Sequence, residues 1–381
     1  MNCFEKSEVR SQKSEVRNQK SEVRIQKDSG SKTNAFFFLS SFRRVSLSPI
    51  LLVLFLIFHP SAVAGDGTVI KFATLAPKGS TWMKVMDAFG KEVSEKTSGA
   101  VKFKIYAGGV SGDEKDVIRK IRLGQLQAGG FTGVGLGEIA PEVRILDAPF
   151  LFKNQGEIDH VYKAFDNEFR KALEDKGYVL LGWAEVGFVN IFTNVPVHSP
   201  EDLRSVKMWM WEGDPIAEAA YRAIGISPVP LSITDVMTSV QTGLVNGVYG
   251  SPLSVLALQW FTRTKFMFSL PIANASGAVL ISKKTFDRLA PDLRKILIAS
   301  GEKHFRTLTS LSRKDNEKSV SVLKKEGITV TEPASRKVVA EFEAMGTAAR
   351  KSLVGRLYSA ELLARVEKAL SDYRSPGKAG K

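Results

Sequence analysis

The side chains that most often perform catalysis are few and scattered in this chain. No two of the four histidines have the H-x-x-x-H spacing that puts two metal ligands on one helical face: His59, His160, His198 and His304. Three acidic residues, Glu185, Glu212 and Asp214, could pair in a cleft for general acid and base catalysis. The sequence therefore predicts no metal and no cofactor, and it leaves a secreted hydrolase that uses these acids as an alternative.

One glycine-rich segment fits a nucleotide-binding pattern only formally. Residues 135–140 read G-L-G-E-I-A, but Pro141 cuts off the helix that the dinucleotide-binding motif requires. We interpret the segment as a flexible turn. No Walker A sequence and no G-x-S-x-G elbow occurs. These patterns argue against a nucleotide-binding enzyme and against a serine hydrolase of the α/β type.

The net charge of the chain, +14, is typical of a nucleic-acid binder at first sight. Residues 1–64 contain ten basic and five acidic residues, so the rest of the chain has a smaller excess. The basic residues there alternate with acidic ones, and no basic run is interleaved with aromatic residues. We expect solvated surfaces and no nucleic-acid partner; a cationic surface binder would show retention that falls steeply with salt.

The first 64 residues are predicted to be a leader that the mature protein lacks. Residues 6–26 are three near-identical heptads with one reliably apolar position each, which favours a disordered or repeat leader over a coiled coil. Arg43 and Arg44 precede the apolar run Ile50–Phe58 and then Ala62-Val63-Ala64. This order is typical of a secretory signal peptide. We predict a periplasmic protein cleaved near Ala64, without the only cysteine, Cys3.

After the leader, short strands alternate with amphipathic helices, which predicts an α/β fold. Strand Val69–Leu75, helix Thr81–Lys96 and strand Val101–Tyr106 indicate a parallel sheet with a helical crossover. Further predicted helices are Asp113–Leu123, Gly156–Glu174, Pro215–Ile224, Thr234–Thr242, Arg336–Ser352 and Ala360–Tyr373. Further predicted strands are Tyr178–Trp183, Phe188–Thr193, Val206–Trp211 and Gly277–Ile281.

The helical pattern after Pro291 continues towards Gly327, over about 35 residues and about 50 Å. A helix of this length is longer than one small domain needs, so we expect it to brace two lobes. The first lobe would comprise residues 65–186 and 275–314, and the second lobe 187–274 and 315–381. The predicted fold class is a two-lobed periplasmic-binding-protein fold with crossing interlobe strands.

Segments spread over most of the mature chain carry a family resemblance. They are F-A-T-L-A-P at 72–77, P-E-V at 141–143, L-D-A-P-F-L-F at 146–152, G-W at 182–183, G-F at 187–188, D-L at 202–203, V-K-M at 206–208, Q-T-G-L-V-N-G at 241–247 and Pro252. In this order they resemble the solute-binding receptors of tripartite ATP-independent periplasmic (TRAP) transporters, of the DctP type. The resemblance implies a non-enzymatic receptor that closes two lobes over an organic solute.

The resemblance also implies partners and ligand-binding positions. The partners would be a small organic solute and the TRAP permease subunits, with the receptor a monomer or a dimer. Family members mostly bind carboxylates through an arginine, and Trp209 occupies the position of that arginine here. A second arginine is common in the family, and Val189 occupies its position. The family's acidic residue before a glycine is Asn246 here. One indole N–H without charge cannot replace a bidentate guanidinium, so a small dicarboxylate is not the expected solute.

We therefore predict an aromatic-lined pocket that holds an apolar or ring-bearing solute. The predicted ligand-binding residues are Trp209, Trp211, Tyr249, Trp82, Phe131, Phe188, Val189, Asn246 and Glu185. Trp209 and Trp211 share one strand face by the period-two rule, whereas Trp82 could equally pack in the core.

Two further solute classes stay open. A quaternary ammonium could lie among the aromatic rings with Glu185 or Glu212 nearby. An organic acid could instead be held by a displaced cation, for which the candidates are Arg204, Lys207, Arg222 and Arg263.

Overall fold

Residues 67–375 are described by a computed structural model of mixed α/β architecture. The strands are β1 (Thr68–Ala73), β2 (Val101–Tyr106), β3 (Ala128–Thr132), β4 (Tyr178–Trp183), β5 (Gly187–Thr193), β6 (Trp209–Trp211), β7 (Val229–Leu231), β8 (Gly247–Gly250), β9 (Phe266–Ala275), β10 (Gly277–Ser282) and β11 (Thr329–Thr331). The predicted leader and its cleavage site lie outside the described residues, as do Cys3 and His59.

The helices include every long one that the sequence predicts. They are α1 (Thr81–Lys96), α2 (Glu114–Arg122), α3 (Gly133–Ile139), α4 (Gln155–Asp175), α5 (Pro200–Leu203), α6 (Pro215–Ile224), α7 (Val236–Thr242), α8 (Pro252–Ala257), α9 (Lys283–Asp287), α10 (Pro291–Lys325), α11 (Arg336–Ser352) and α12 (Ala360–Arg374). A 3₁₀ helix covers Pro141–Asp147. Within residues 67–375, no helix is both long and apolar enough to cross a membrane.

The first sheet has the strand order β2-β1-β3-β10-β4. Strand β1 pairs in parallel with β2 and with β3, as the strand and helix alternation predicts. Strand β10 is antiparallel to both of its neighbours, β3 and β4. It arrives from the second sheet, as the direct continuation of β9, and so enters from the opposite side. The sheet is therefore mixed and not purely parallel.

The second sheet has the order β11-β9-β5-β8. Strands β5 and β9 are antiparallel and form its centre. The short parallel pair of β6 and β7 is joined to it by a bridge between Met208 and Gly247. Strand β6 therefore extends this sheet beside β8 and carries Trp209 and Trp211.

The chain crosses between the two sheets side by side at two places. Residues 184–186 connect β4 to β5, and Ser276 connects β9 to β10. The two crossings are hydrogen-bonded to each other, from Ala184 N to Gly277 O at 2.7 Å and from Val186 N to Ala275 O at 3.0 Å. This arrangement, a two-lobed fold with crossing interlobe strands, confirms the predicted fold class.

Helix α10 is 35 residues long and serves both lobes. Leu297 and Phe305 pack in the core of the first lobe, while Leu323 packs with the core of the second. Between them, Asn316 donates to Val186 O at 2.8 Å and accepts from Leu253 N at 3.0 Å. The predicted bracing helix is thus present, and its middle is hydrogen-bonded to a crossing segment.

The lobe boundaries stay a prediction, and the packing of α12 bears on one of them. Leu362 and Val366 of α12 share a core with Phe165 and Phe169 of α4, which covers the first sheet. The expected second lobe, by contrast, includes all of residues 315–381. We propose that α12 counts with the first lobe, because its apolar face is buried there.

Three local predictions differ from the structure. The strand expected over Val206–Trp211 is only the three residues of β6. Strand β9 is absent from the prediction, because Pro271 interrupts its pattern. The flexible turn expected over 135–140 is wrong, since most of it lies in helix α3. There, a Cβ on Gly133 would lie 1.7 Å from Asp147 Oδ2, so tertiary packing accounts for that glycine.

Candidate functional site

A cavity of about 180 Å³, the first cavity, lies between the two lobes. The first lobe contributes side chains from β3, α3 and the 3₁₀ helix, and the second lobe contributes β6, α6 and β8. Its lining is mostly apolar. The lining includes Thr132, Arg144, Asp147, Val186, Val189, Trp209, Trp211, Asp214, Tyr221, Tyr249 and Ser251.

Trp209 forms part of this lining at the centre of an aromatic group. Its side chain is 1% exposed, and its indole Nε1 donates to Leu231 O on β7 at 3.0 Å. Its ring stacks on Tyr249, with centroids 4.8 Å apart and planes 19° apart. Trp260 meets it edge-on at 5.3 Å. The indole is therefore locked in one orientation, with its polar atom satisfied by the protein.

Trp211 lines the same cavity, on the strand face that it shares with Trp209. The two rings are 6.1 Å apart. Its indole Nε1 donates to the carboxylate of Asp113, the N-cap of α2, at 3.0 Å. Its backbone N–H donates to the Tyr249 hydroxyl at 3.2 Å. Trp211 therefore joins β6 and β8 of the second lobe to a helix of the first.

A buried cluster of three charges lines the cavity. Arg144 donates from Nη2 to Asp214 Oδ1 at 2.9 Å, and its Nε lies 2.9 Å from Asp147 Oδ2. Asp147 Oδ1 accepts from Ser276 N at 2.6 Å, at the interlobe crossing. Asp214 Oδ1 also accepts from Ile216 N at 3.0 Å and caps α6. The cluster thus connects both lobes with the crossing strand.

The buried environment changes the acid-base properties of these groups. Burial disfavours the charged form of Arg144, but Asp214 and Asp147 outweigh this effect and raise the pKa of the guanidinium. Burial raises the pKa of the Asp147 carboxyl, against the opposing influence of Arg144 and Ser276. Burial also raises the pKa of the Tyr249 phenol, and the charge of Asp214 adds to this shift. Arg144 and Tyr249 are therefore protonated at neutral pH.

A second cavity, of about 330 Å³, shares a wall with the first, formed by residues such as Thr132, Val186 and Ser251. Trp82, Phe131 and Glu185 line this second cavity and not the first. Trp82 stacks on Phe72 at 6.4 Å, and Phe131 is a core residue of the first lobe. The predicted aromatic pocket is therefore divided between two compartments.

Two of the predicted ligand-binding residues line neither cavity. Phe188 is partly buried against the core of the first lobe. Asn246 uses its side-chain oxygen to accept from Lys207 N at 2.8 Å, which positions the chain just before β6. Both residues therefore have structural contacts that explain them without a solute.

The candidate displaced cations are all exposed on the surface. Arg204 pairs with Glu201, and Arg222 pairs with Glu218 at 2.7 Å. The set Arg204, Lys207, Arg222 and Arg263 contributes nothing to either cavity lining. The cation that does line the first cavity, Arg144, is absent from that set.

The acids of the hydrolase alternative do not converge. Glu185 lies beside the second cavity and accepts from Arg313 Nη2 at 2.6 Å, while Glu212 is exposed and Asp214 lines the first cavity. Burial raises the pKa of Glu185, although Arg313 opposes this. In the described part of the chain, no group of three or more histidine, cysteine or acidic residues could hold a metal ion.

Sequence reasoning missed Arg144 and Asp147. A signal was present, since both interrupt an otherwise apolar run around Val143, Ile145 and Leu146. Charged residues in such a run must be paired when they are buried. The identity of the distant partner, Asp214, is not visible in the sequence.

The family model "Bacterial extracellular solute-binding protein, family 7" (DctP) matches residues 72–354. Among relatives, a solute-binding protein of Verminephrobacter eiseniae is 28% identical over 71% of this chain and 81% of its own. The C4-dicarboxylate-binding periplasmic protein DctP of Rhodobacter capsulatus is 25% identical over 80% of this chain and 91% of its own.

A solved structure with the same fold is that of a TRAP periplasmic solute-binding protein from Sulfitobacter sp. NAS-14.1 with bound β-D-galacturonate. It is 25% identical, covers 80% of this chain and 100% of its own, and has a TM-score of 0.72. The whole two-lobed architecture is therefore shared.

Proposed function

The chain belongs to family 7 of the bacterial extracellular solute-binding proteins, and from this premise we propose that it holds a small organic solute in the aromatic-lined first cavity. The membership confirms the resemblance found in the sequence. Receptors of this family bind small organic solutes, work with TRAP membrane permease subunits and are not enzymes. The predicted cleavage near Ala64 and the choice between monomer and dimer stay predictions.

One observation carries the proposal about the pocket. Trp209, at the position where the family resemblance implies a carboxylate-binding arginine, lines the first cavity and is 1% exposed. With its indole N–H satisfied by Leu231 O and one ring face covered by Tyr249, it presents apolar ring atoms to the cavity and no free donor. Binding by apolar area therefore replaces the carboxylate clamp at this position.

Lobe closure is the mechanism that the topology supports. The solute would enter between the sheets, and the paired crossings at 184–186 and Ser276 would act as the hinge. Closure would bring Trp209, Trp211 and Tyr249 of the second lobe against Arg144 and Asp147 of the first. The closed receptor would then present its solute to the permease.

An organic acid is the second candidate, and two observations favour it. Arg144 lines the first cavity as a buried cation. The Sulfitobacter relative carries bound galacturonate, which is a sugar acid. Under this alternative, a carboxylate would have to approach Arg144 beside the carboxylates of Asp147 and Asp214.

The first experiment is native mass spectrometry of the mature receptor, purified gently from the periplasm after expression of the full chain. Solvent extraction then identifies any bound mass. An apolar, ring-bearing or cationic compound supports the aromatic pocket. A bound organic acid contradicts the proposal that the pocket binds its solute through aromatic rings, but it is consistent with a solute receptor.

A variant pair then tests the residue that carries the proposal. Trp209→Ala should weaken binding of the recovered solute by at least about tenfold, as truncation of a buried aromatic anchor does. Trp209→Phe removes the bond to Leu231 O but keeps most of the ring, so it should retain most of the affinity. Calorimetric titration measures both, and unchanged affinity in Trp209→Ala would remove Trp209 from the site.

A further inference from the structure

The charges in the first cavity are unevenly balanced. Its lining contains three charged residues, Arg144, Asp147 and Asp214, so two carboxylates face one guanidinium. All three are at most 5% exposed. Because the rest of the lining is mostly apolar, this cluster sets the electrostatic character of the cavity.

Arg144 is ion-paired with both acids, although its Nε and Asp147 Oδ2 make no hydrogen bond within residues 67–375. Its Nη2 donates to Asp214, and its Nε faces Asp147 at 2.9 Å. A carboxylate that approached it would meet two acidic neighbours, and like charges in a buried site disfavour each other. The cluster is therefore poorly suited to hold an organic anion.

Asp214 has binding capacity left. Its Oδ1 accepts both from Arg144 and from Ile216 N. Its Oδ2 accepts no hydrogen bond from residues 67–375, although the residue is only 4% exposed and lines the cavity. Because this oxygen still has lone pairs free to accept, a charged donor from a solute in the cavity would form a stabilising hydrogen bond with it.

Aromatic rings surround the same space. Trp209, Trp211, Tyr221 and Tyr249 line the cavity with Asp214. Their electron-rich faces attract cations when water is excluded. The sequence suggests Glu185 and Glu212 as the acids that would accompany a cationic solute. Glu185 lines the second cavity instead, and Glu212 is exposed on the surface.

We propose that the solute carries a protonated nitrogen on a compact apolar body, with Asp214 Oδ2 as its acceptor. This inference rests on the proposed receptor function of the same cavity. The ammonium group would donate to Asp214, balance the second carboxylate of the cluster and lie against the aromatic faces. The apolar body would occupy the remainder of the cavity.

The test compares three probes that share one ring and differ in charge: 2-phenylethylamine, 2-phenylethanol and phenylacetate. Their dissociation constants for the mature receptor are measured by calorimetry at pH 7. We expect the amine to bind at least about tenfold more tightly than the alcohol, which corresponds to one charge-assisted hydrogen bond. Phenylacetate should bind most weakly.

Asp214→Asn isolates the role of the charge, because asparagine also caps helices well. It should reduce the advantage of the amine over the alcohol to less than about threefold while binding of the alcohol is retained. Glu212→Gln is the matched control, since it removes an exposed acid two residues away and should change neither constant. Circular dichroism melts verify that both variants are folded.

Each contrary outcome is informative. Equal binding of amine and alcohol, with both lost in Trp209→Ala, overturns the inference but leaves the proposed pocket in place. If phenylacetate binds more tightly than the amine, the inference is overturned, and an organic acid held by Arg144 is favoured instead. If none of the three probes binds, the inference is also overturned. The proposed function is then tested separately, by the identity of the solute that co-purifies with the receptor.

Discussion

Trp211 and Asp113 are hydrogen-bonded across the interface between the lobes, with 3.0 Å between the indole nitrogen and a carboxylate oxygen. The same carboxylate accepts from the Ser232 hydroxyl at 2.6 Å and caps helix α2. A wall of the first cavity is thus attached to a helix N-terminus of the opposite lobe. If the lobes close as proposed, this bond should couple closure to the position of Trp211.

Trp211→Phe should weaken solute binding by about tenfold, because it removes a hydrogen bond to a charged acceptor while it keeps an aromatic ring. The solute-free protein should also be more open, with a larger radius of gyration by small-angle X-ray scattering. Trp183→Phe is the matched control, since Trp183 makes a similar bond to Asp166 at 2.7 Å within the first lobe. Equal effects in both variants would show that the interlobe bond has no special role.

Gly133→Ala should lower the free energy of unfolding by about 3 kcal/mol, because the new methyl group would lie 1.7 Å from Asp147 Oδ2. Displacement of Asp147 should also disturb its bond to Ser276 and weaken solute binding. Gly90→Ala is the control, as its methyl group would meet only Phe103 at 3.4 Å and helix α1 should gain up to about 1 kcal/mol. Urea unfolding measures both, and a neutral Gly133→Ala would contradict the packing argument.

Glu114 should make the receptor less stable as the pH rises. Burial raises its pKa from 4.5 to about 7, despite bonds from Thr132 N at 2.7 Å and Gly135 N at 2.6 Å. The folded state therefore holds this proton more tightly than the unfolded state. The protonated Glu114 therefore adds to the free energy of unfolding. This stabilisation is present in full below about pH 4.5 and is lost by the time the pH has passed 7, a change of about 3 kcal/mol.

Glu114→Gln should remove this part of the pH dependence. Between pH 4 and pH 8, the parent protein should lose about 3 kcal/mol of unfolding free energy through Glu114, and the variant should not. The difference in unfolding free energy, variant minus parent, should therefore rise by about 3 kcal/mol over this range. Glu95→Gln, at an exposed position on α1, serves as the control and should follow the parent curve. If Glu114→Gln and the parent have parallel curves, Glu114 does not titrate in this range.

Elements with strong local patterns are predictable from the sequence. Helix α1 and strand β2 have the bounds that the periodicity predicts, and α10 has the predicted length. Strand β9 and helix α3 lack such a signal, because Pro271 and the glycines of α3 disfavour their structures locally. Tertiary contacts determine both, including the fit of Gly133 against Asp147.

The site is predictable only where one position is informative alone. Trp209 stands out because an aromatic residue replaces the arginine that the family resemblance implies, and it does line the first cavity. The place of Arg144 in the cavity lining is not predictable in this way, because its hydrogen-bond partner Asp214 is 70 residues away along the chain. The division into two cavities likewise follows from three-dimensional packing, so Trp82 and Trp209 are separated although both are aromatic.

The strand order has a consequence for how the polypeptide acquires its structure. Strand β10 lies between β3 and β4 in the first sheet, yet it begins 145 residues after the end of β3 and 94 residues after the end of β4. In the described part of the chain, β10 is the only strand beside β4, so β4 has no strand partner until β10, which ends at Ser282, is in place. Pairings between strands this far apart in sequence are intrinsically slow to form, so we expect this sheet to be completed late in folding. Neither lobe corresponds to a continuous fragment, so expression of either one as a single stretch of sequence would yield an incomplete sheet.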